Sequence, residues 1–305
     1  MVAKVGGRDP RVLGAATEAL LSPDGREVVA LETAEGRAVV TVYGTARRGG
    51  SRVVAVLAPP DFSAHAVKLL GWSPDSRLVA LSTNELSGSG AQGVLLVLDV
   101  QGGMLTRIAT GTFLGASFAP QRPDRLVYAR ASIVQLDDNE ASLWTAQSDG
   151  SDQQELTDTG LARDPLWTPA GIFFARLERL GSRTSPPLYG LWRIAANGTA
   201  LERLGDIEAG PPAGPLAASA SGRRILADFD SPSGGAVQVW TVALLRRGVL
   251  TRQLTLPAVG DGVSRDGKLV LATMFGSPAQ IETLRWDGEL ERTLANGASG
   301  ADWNQ

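Results

Sequence analysis

The chain is predicted to be all-β: a six-bladed β-propeller with four antiparallel strands per blade. Three observations predict it. A short turn string recurs along the chain, each copy is followed by the same succession of apolar strands, and hairpin dipeptides punctuate those strands at fixed places. The turn string is Ser22-Pro23-Asp24-Gly25, then Ser73-Pro74-Asp75-Ser76, Thr168-Pro169-Ala170-Gly171 and Ser264-Arg265-Asp266-Gly267, with weaker copies at Ala119-Pro120 and Ser219-Ala220-Ser221-Gly222. The offsets between copies are 51, 46, 49, 51 and 45 residues. A period of that size marks a radial array of small sheets, because a single blade cannot bury its apolar faces alone.

Within each unit the first strand ends in a bulky residue just before the turn: Leu21, Trp72, Phe118, Trp167 and Val263, with Ala218 as the small exception. Trp72 and Trp167 are expected to be buried between neighbouring blades. The second strand is an apolar run, such as Val28-Val29-Ala30-Leu31, Leu78-Val79-Ala80-Leu81 or Ile172-Phe173-Phe174-Ala175. The third carries Leu143-Trp144, Leu191-Trp192 or Val239-Trp240. It ends at Gln101-Gly102, Asp149-Gly150, Asn197-Gly198 or Asp287-Gly288, read as two-residue type I′ turns, which need positive φ. A more polar fourth strand closes the unit, as in Leu105-Thr106-Arg107-Ile108. Four strands in each of six units fill residues 1–305 as one domain, with blades at roughly 18–65, 66–112, 113–161, 162–213, 214–258 and 259–298. Residues 8–14 and Ala301-Asp302-Trp303-Asn304 resemble spare strands, so the termini are expected to meet and close the ring, removing exposed sheet edges.

Composition narrows the function classes. The 305 residues carry a net charge of −3, and 26 Arg stand against 3 Lys. Without a basic surplus to neutralise phosphates, no nucleic-acid partner is expected. There is no Cys, which excludes disulfides, thiolate metal sites and Cys nucleophiles. No run of 18 apolar residues is present, so direct membrane insertion is not expected. Met1-Val2-Ala3-Lys4-Val5-Gly6 lacks the apolar stretch of a secretory signal. The expected location is cytoplasmic if the chain is complete, and periplasmic or extracellular if an export signal or anchor has been removed.

The turn, the strand after it and the later Leu-Trp hairpin resemble the TolB-type propeller repeat. The resemblance runs over nearly the whole chain and is cleanest in blades 1, 2 and 6. It implies a propeller, usually extracytoplasmic, that binds a protein or peptide at one mouth of its channel. The resemblance does not extend to the small α/β domain that precedes the propeller in TolB, so it implies the repeat-level likeness and not a Tol–Pal role. The propellers of prolyl-oligopeptidase-like enzymes are similar, but their hydrolase domain has no counterpart here. WD repeats fit less well, because no Gly-His pair opens a blade.

In a meander blade the first and third turns share one end, and the second turn and the blade-to-blade link share the other. The tight turns therefore make one end compact. The other collects the long loops 82–93, 131–141, 176–190, 228–236 and 273–280 and the links 58–68, 157–164, 205–215 and 256–262. Loops on one rim of a rigid scaffold are where binding resides. Acidic residues dominate that rim, Asp164 and Asp261 among them, and Arg130, Arg163, Arg176, Arg179 and Arg183 are the main counter-charges. The residue after the alanine of each second strand is Leu31, Leu81, Arg130, Arg176, Asp228 or Thr273 in blade order. Arg130, Arg176 and Asp228 are therefore expected to be neighbours near the loop-rich mouth, gripping a partner carboxylate bidentately or pairing with one another.

Other motifs carry less. Gly88-Ser89-Gly90-Ala91-Gln92-Gly93 matches a dinucleotide fingerprint but lies between two strands with no helix after it. Asn197-Gly198-Thr199 is formally a glycosylation site that coincides with a turn the fold requires. Asp137-Asp138-Asn139-Glu140 matches no Ca²⁺ loop spacing. His65 is the only histidine, so a His-cluster metal site is impossible and a Ser-His-Asp triad would need this one residue. It is expected at the rim, in polar packing beside Asp61 and Phe62. The resulting expectation is a monomeric, non-catalytic scaffold without cofactor or metal, with binding residues Arg130, Arg176, Asp228, Arg179, Arg183, Asp164, Asp261 and His65. The alternatives are a propeller lactonase or lyase with a metal held by Asp164, Asp228, Asp261 and Asp302, and a small-ligand sensor with an apolar pocket at the channel mouth.

Overall fold

The computed structural model describes residues 13–14, 16–46, 49–58, 67–83, 93–131, 141–157, 160–179, 188–207, 216–230, 240–246, 249–256, 258–274, 278, 280–287 and 289–296. Among them the strands pair into six four-stranded antiparallel sheets, each a meander whose strands bond only to their chain neighbours. The first holds β1 (Glu18–Leu21), β2 (Glu27–Ala34), β3 (Arg37–Gly44) and β4 (Ser51–Leu57), and the second β5 (Val67–Trp72), β6 (Leu78–Thr83), β7 (Val94–Asp99) and β8 (Met104–Thr110). The third holds β9 (Thr112–Ala119), β10 (Arg122–Ala131), β11 (Ala141–Gln147) and β12 (Gln154–Glu155), and the fourth β13 (Ala162–Thr168), β14 (Gly171–Arg179), β15 (Leu188–Ile194) and β16 (Glu202–Ile207). The fifth holds β17 (Ala217–Ala218), β18 (Arg224–Asp230), β19 (Trp240–Arg246) and β20 (Val249–Leu256), and the sixth β21 (Ala258–Val263), β22 (Leu269–Met274), β23 (Gln280–Arg285) and β24 (Leu290–Asn296). Two compact units divide these sheets, β1–β12 in one and β13–β24 in the other. The stretches expected to close a ring, 8–12 and 301–304, lie outside the described residues, as do most of the long loops and links.

The apolar runs are explained by burial on both sheet faces. All six residues of β7 are buried, as are Val28–Leu31 of β2. A strand covered on both faces reads as continuous hydrophobics rather than as an alternation. In the first unit one core layer lies between sheets one and two, with Val29, Leu31, Val79, Leu81, Leu96 and Leu98. Another joins sheets two and three through Leu95, Val97, Phe113, Phe118 and Tyr128. In the second unit Phe173, Ala175 and Leu191 meet Leu216, Ile225 and Ala227, and Leu226 meets Val270, Ala272 and Leu284.

The recurring turn locks itself. Ser22 is fully buried; its hydroxyl donates to Asp24 Oδ1 (2.7 Å) and accepts the Glu27 N–H (3.0 Å), while the Arg26 N–H reaches Asp24 Oδ1 (3.0 Å). Ser73 with Asp75 and Leu78, and Ser264 with Asp266 and Leu269, repeat the same bonds. Neighbouring turns then bond to each other within each unit, Asp24 N–H to Ser76 Oγ (3.2 Å) and Ala220 N–H to the Arg265 carbonyl (3.1 Å).

Two expectations are corrected. The third-turn dipeptides Asp149-Gly150 and Asn197-Gly198 are not type I′ turns, while Asp287-Gly288 reaches outside the described residues. In Asp149-Gly150 and Asn197-Gly198 positive φ falls on the glycine (85° and 80°), and the glycine N–H bonds the carbonyl three residues back, Gln147 and Ala195. That is a type I turn followed by a left-handed glycine. Both central residues have positive φ at Glu35 and Gly36 (52° and 72°), which join β2 to β3 at the opposite end of the blade. Trp72 and Trp167 are half-buried rather than buried. Trp72 does span two blades: its indole N–H donates to the Leu20 carbonyl of β1 (3.1 Å) and its ring packs on the core between sheets one and two. An indole joins an apolar ring to a polar N–H, so one side chain can pack on the core and still bond a backbone carbonyl.

Candidate functional site

Register decides which residues are equivalent from blade to blade. The bulky residues Leu21, Trp72, Phe118, Trp167, Ala218 and Val263 lie opposite Val28, Val79, Leu126, Ile172, Ile225 and Val270. The fourth residue beyond each of these is Glu32, Thr83, Arg130, Arg176, Phe229 or Met274. Arg130 and Arg176 therefore share one position. Asp228 is only the third residue beyond Ile225 and shares its position with Leu31, Ser82 and Thr273. Counting from alanine misaligned the blades, because Ala30 stands two residues beyond Val28, Ala80 one beyond Val79 and Ala175 three beyond Ile172. Asp228 is one register position out of step with the two arginines.

Both arginines are strand residues, contrary to a loop placement for Arg176 and Arg179. Arg130 lies opposite Ser142 near the end of β10 remote from the tight turns, and Trp144 lies opposite Tyr128. Arg176 lies opposite Gly190 in β14, and Trp192 lies opposite Phe174. Each arginine and its tryptophan are thus diagonal cross-strand neighbours on one sheet face. The Arg130 guanidinium carbon lies 5.8 Å from the Trp144 ring centre, and that of Arg176 lies 5.0 Å from Trp192. A planar cation at this range is held by the ring quadrupole.

A glycine flanks each stack. A Cβ at Gly111 (φ 152°) would fall 2.9 Å from Arg130 Nε, and one at Gly160 (φ 88°) would fall 2.4 Å from Arg176 Nε. Beneath Arg130, burial pushes the Tyr128 phenol up to about 12, only partly offset by the arginine charge, so Tyr128 stays neutral.

The fourth sheet adds a second layer. Glu178 Oε1 accepts the Trp192 indole N–H (3.0 Å) and the Arg203 Nε–H (2.6 Å), and Oε2 pairs with Arg203 Nη2 (2.5 Å). Gly190 leaves the room: a Cβ there would meet Glu178 Oε1 at 2.1 Å. Chemically, each arginine is a planar donor oriented on an indole, suited to a carboxylate.

The remaining candidates are dispersed. Arg179 ends β14 opposite Leu188 and is exposed. Asp164 has a positive φ of 49° within the register shift between Arg163 and Leu166, just before Pro165. Asp261 lies within the shift between Gly260 and Gly262. Both aspartates thus sit at bulges in the first strand of a blade, where β5 also has one between Leu69 and Gly71. His65 and Arg183 lie outside the described residues. Among the described residues no three His, Asp or Glu side chains gather as a metal site. Sequence reasoning missed the tryptophans as partners of the arginines, together with Gly111, Gly160 and the Glu178–Arg203 pair. The signal was present as Leu-Trp in two third strands, but pairing it required the register.

No family model matches the chain, and neither does any curated protein. Solved structures do match. TolB from Acinetobacter baumannii superposes with a TM-score of 0.56 at 16% identity, over 89% of this chain and 61% of that one. The chain thus spans about three fifths of that TolB. An oligogalacturonate lyase in complex with manganese gives 0.56 at 14% identity, over 84% and 72% of the two chains. The β-propeller domain of the Trilobed protease from Pyrococcus furiosus, described as having an open velcro topology, gives 0.58 at 12% identity, over 91% and 84%. At such identities the likeness carries the fold: this chain is an all-β propeller of antiparallel four-stranded blades.

Proposed function

We propose that the chain is a six-bladed propeller acting as a non-catalytic scaffold, with a protein or peptide partner docking on the loop-bearing rim. One observation carries this reading. Two blades present an arginine at the same register position, stacked on a tryptophan, near the strand ends remote from the tight turns. The opposite end is occupied by turns that bond to themselves and to each other. Arg130 and Arg176 are the partner's carboxylate contacts. Arg179, which is exposed, and Arg183 steer association, and Asp228, Asp164, Asp261 and His65 complete the rim.

The test is a pull-down of partner with wild type, Arg176→Gln and turn variants at Asp149 and Asn197. Arg176→Gln should weaken capture while leaving the fold intact, and Arg179→Glu should slow association in a salt-dependent way. Capture lost in the turn variants but kept in Arg176→Gln would place the functional face at the other end. A second reading rests on the bulges at Asp164 and Asp261, since bulges often re-aim side chains at active sites. It is a lyase or lactonase with a carboxylate-held metal, as the manganese complex of the lyase neighbour allows. Stoichiometric Mn²⁺ binding in equilibrium dialysis, lost in Asp261→Asn, would favour it over the scaffold.

A further inference from the structure

Two of the tight third turns share their geometry and differ in one functional group. β15 runs on into Ala195-Ala196-Asn197-Gly198-Thr199, and the end of β11 into Gln147-Ser148-Asp149-Gly150-Ser151. The Gly198 N–H bonds the Ala195 carbonyl (2.9 Å) and the Gly150 N–H bonds the Gln147 carbonyl (3.0 Å), and both glycines are left-handed. Asn197 Oδ1 accepts the Thr199 N–H (3.1 Å) and the Thr199 hydroxyl (2.7 Å). Asp149 Oδ1 accepts the Ser151 N–H (2.8 Å) and the Ser151 hydroxyl (2.6 Å) in the same way. One turn thus holds a carboxamide where the other holds a carboxylate, and Asn197 and Thr199 are exposed.

An asparagine before a glycine sets an electrophile beside a nucleophile. Once the Gly198 amide nitrogen has given its proton to a base from solvent, it can bond to Asn197 Cγ, because glycine has no side chain to shield it. Negative charge then gathers on Oδ1, at which the Thr199 N–H and hydroxyl are already aimed. Donors placed where charge develops lower a barrier without reorganisation. The Cγ–Nδ2 bond breaks and the nitrogen leaves as ammonia, taking a proton from water. Water then opens the succinimide ring to aspartate or isoaspartate. Overall one water is consumed, one carboxylate formed and one ammonium ion released. Against this, the Gly198 N–H must first leave the Ala195 carbonyl, which for an exposed turn bond costs roughly threefold to tenfold in population. The two donors on Oδ1 offset that cost.

We infer that Asn197 is a modification site, which deamidates spontaneously in the folded chain and converts its turn to the Asp-Gly form already present at Asp149. The aspartate product has a ready place, since Asp149 keeps both Oδ1 bonds in the equivalent turn. It is also charged at neutral pH, because the Ser151 hydroxyl and then the Ser151 N–H hold the Asp149 carboxyl below the ordinary 3.8. Deamidation therefore adds one negative charge at the tight-turn end of a chain whose net charge is −3.

The test incubates the full chain, folded and in urea, in mildly alkaline buffer, with digestion and mass spectrometry of samples taken over weeks. The peptide holding Asn197 should gain the mass of an amide-to-acid change in the folded chain at a rate within about tenfold of that in urea. Thr199→Val should slow the folded rate roughly threefold to tenfold, and Thr199→Ser, which keeps the hydroxyl, should not. Asn197→Asp should melt as wild type does. Circular dichroism and melting that match wild type keep the comparison to folded chains. A folded rate more than about a hundredfold below the urea rate would show that the turn shields its amide, and overturns the inference. Equal slowing by Thr199→Val and Thr199→Ser overturns it as well.

Discussion

Single side chains in this protein act by closing gaps between backbone groups. Trp72 reaches from the second sheet to the Leu20 carbonyl of the first, and part of its surface remains wet. Trp72→Ala should cost about 2–3 kcal/mol, below the range for fully buried aromatics. Trp72→Phe should cost about 1 kcal/mol, the hydrogen bond alone. Urea unfolding of both variants measures this; a loss below about 0.5 kcal/mol for Trp72→Ala would mean that the indole does not bridge the sheets. Asp266 acts through charge. The Lys268 N–H first, then the Ser264 hydroxyl, hold its carboxyl below the ordinary 3.8. Asp24 lies low as well: burial would raise it, but bonds from Ser22, the Arg26 N–H and Ser76 together outweigh that. Depressed carboxylates contribute stability that is complete above the unfolded-state value and lost as pH falls through the folded one. Melting temperature should therefore drop below about pH 4, and Asp266→Asn should flatten that drop while lowering stability at neutral pH.

Within an element, a blade positions its arginine by combining a strand register, a third-strand tryptophan and an incoming glycine. The glycine is the most exposed to test. Gly160 has φ 88° and no room for a Cβ beside Arg176. Gly160→Ala should cost about 1–3 kcal/mol in backbone strain and push the guanidinium off Trp192. Gly111→Ala should do the same to Arg130 on Trp144. The check is the Arg Nε–Hε chemical shift, which ring current displaces while the stack exists. Shifts unchanged in both variants would mean that the glycines do not set the stacks. Glu178 gives the fourth sheet a firmer version of the device, since it fixes the indole that Arg176 lies on.

Across the molecule as a whole, chemistry is bounded by what the chain contains. No cysteine is available as a nucleophile, and His65 is the single histidine that could serve one as a base. The purified protein is expected not to hydrolyse esters, peptides or lactones unaided. Turnover abolished by His65→Ala, yet indifferent to chelators, would overturn this expectation.

Residue order along the chain was enough to specify the strand-rich blade pattern, the place of the locked Ser-x-Asp turns and the apolar runs that become doubly covered strands. These depend on residues close together in the chain: a serine, an aspartate two residues on, and a glycine able to take positive φ. Whatever depends on counting across strands waited for the folded arrangement. The alanine used to align the blades drifts by up to two residues because turn and strand lengths vary, and a slip of one residue moves a side chain to the other face. That slip sets Asp228 one register position away from Arg130 and Arg176. The diagonal Arg–Trp stacks and the half-buried Trp72 were hidden for the same reason: each joins residues whose distance apart in sequence says nothing about their register in space.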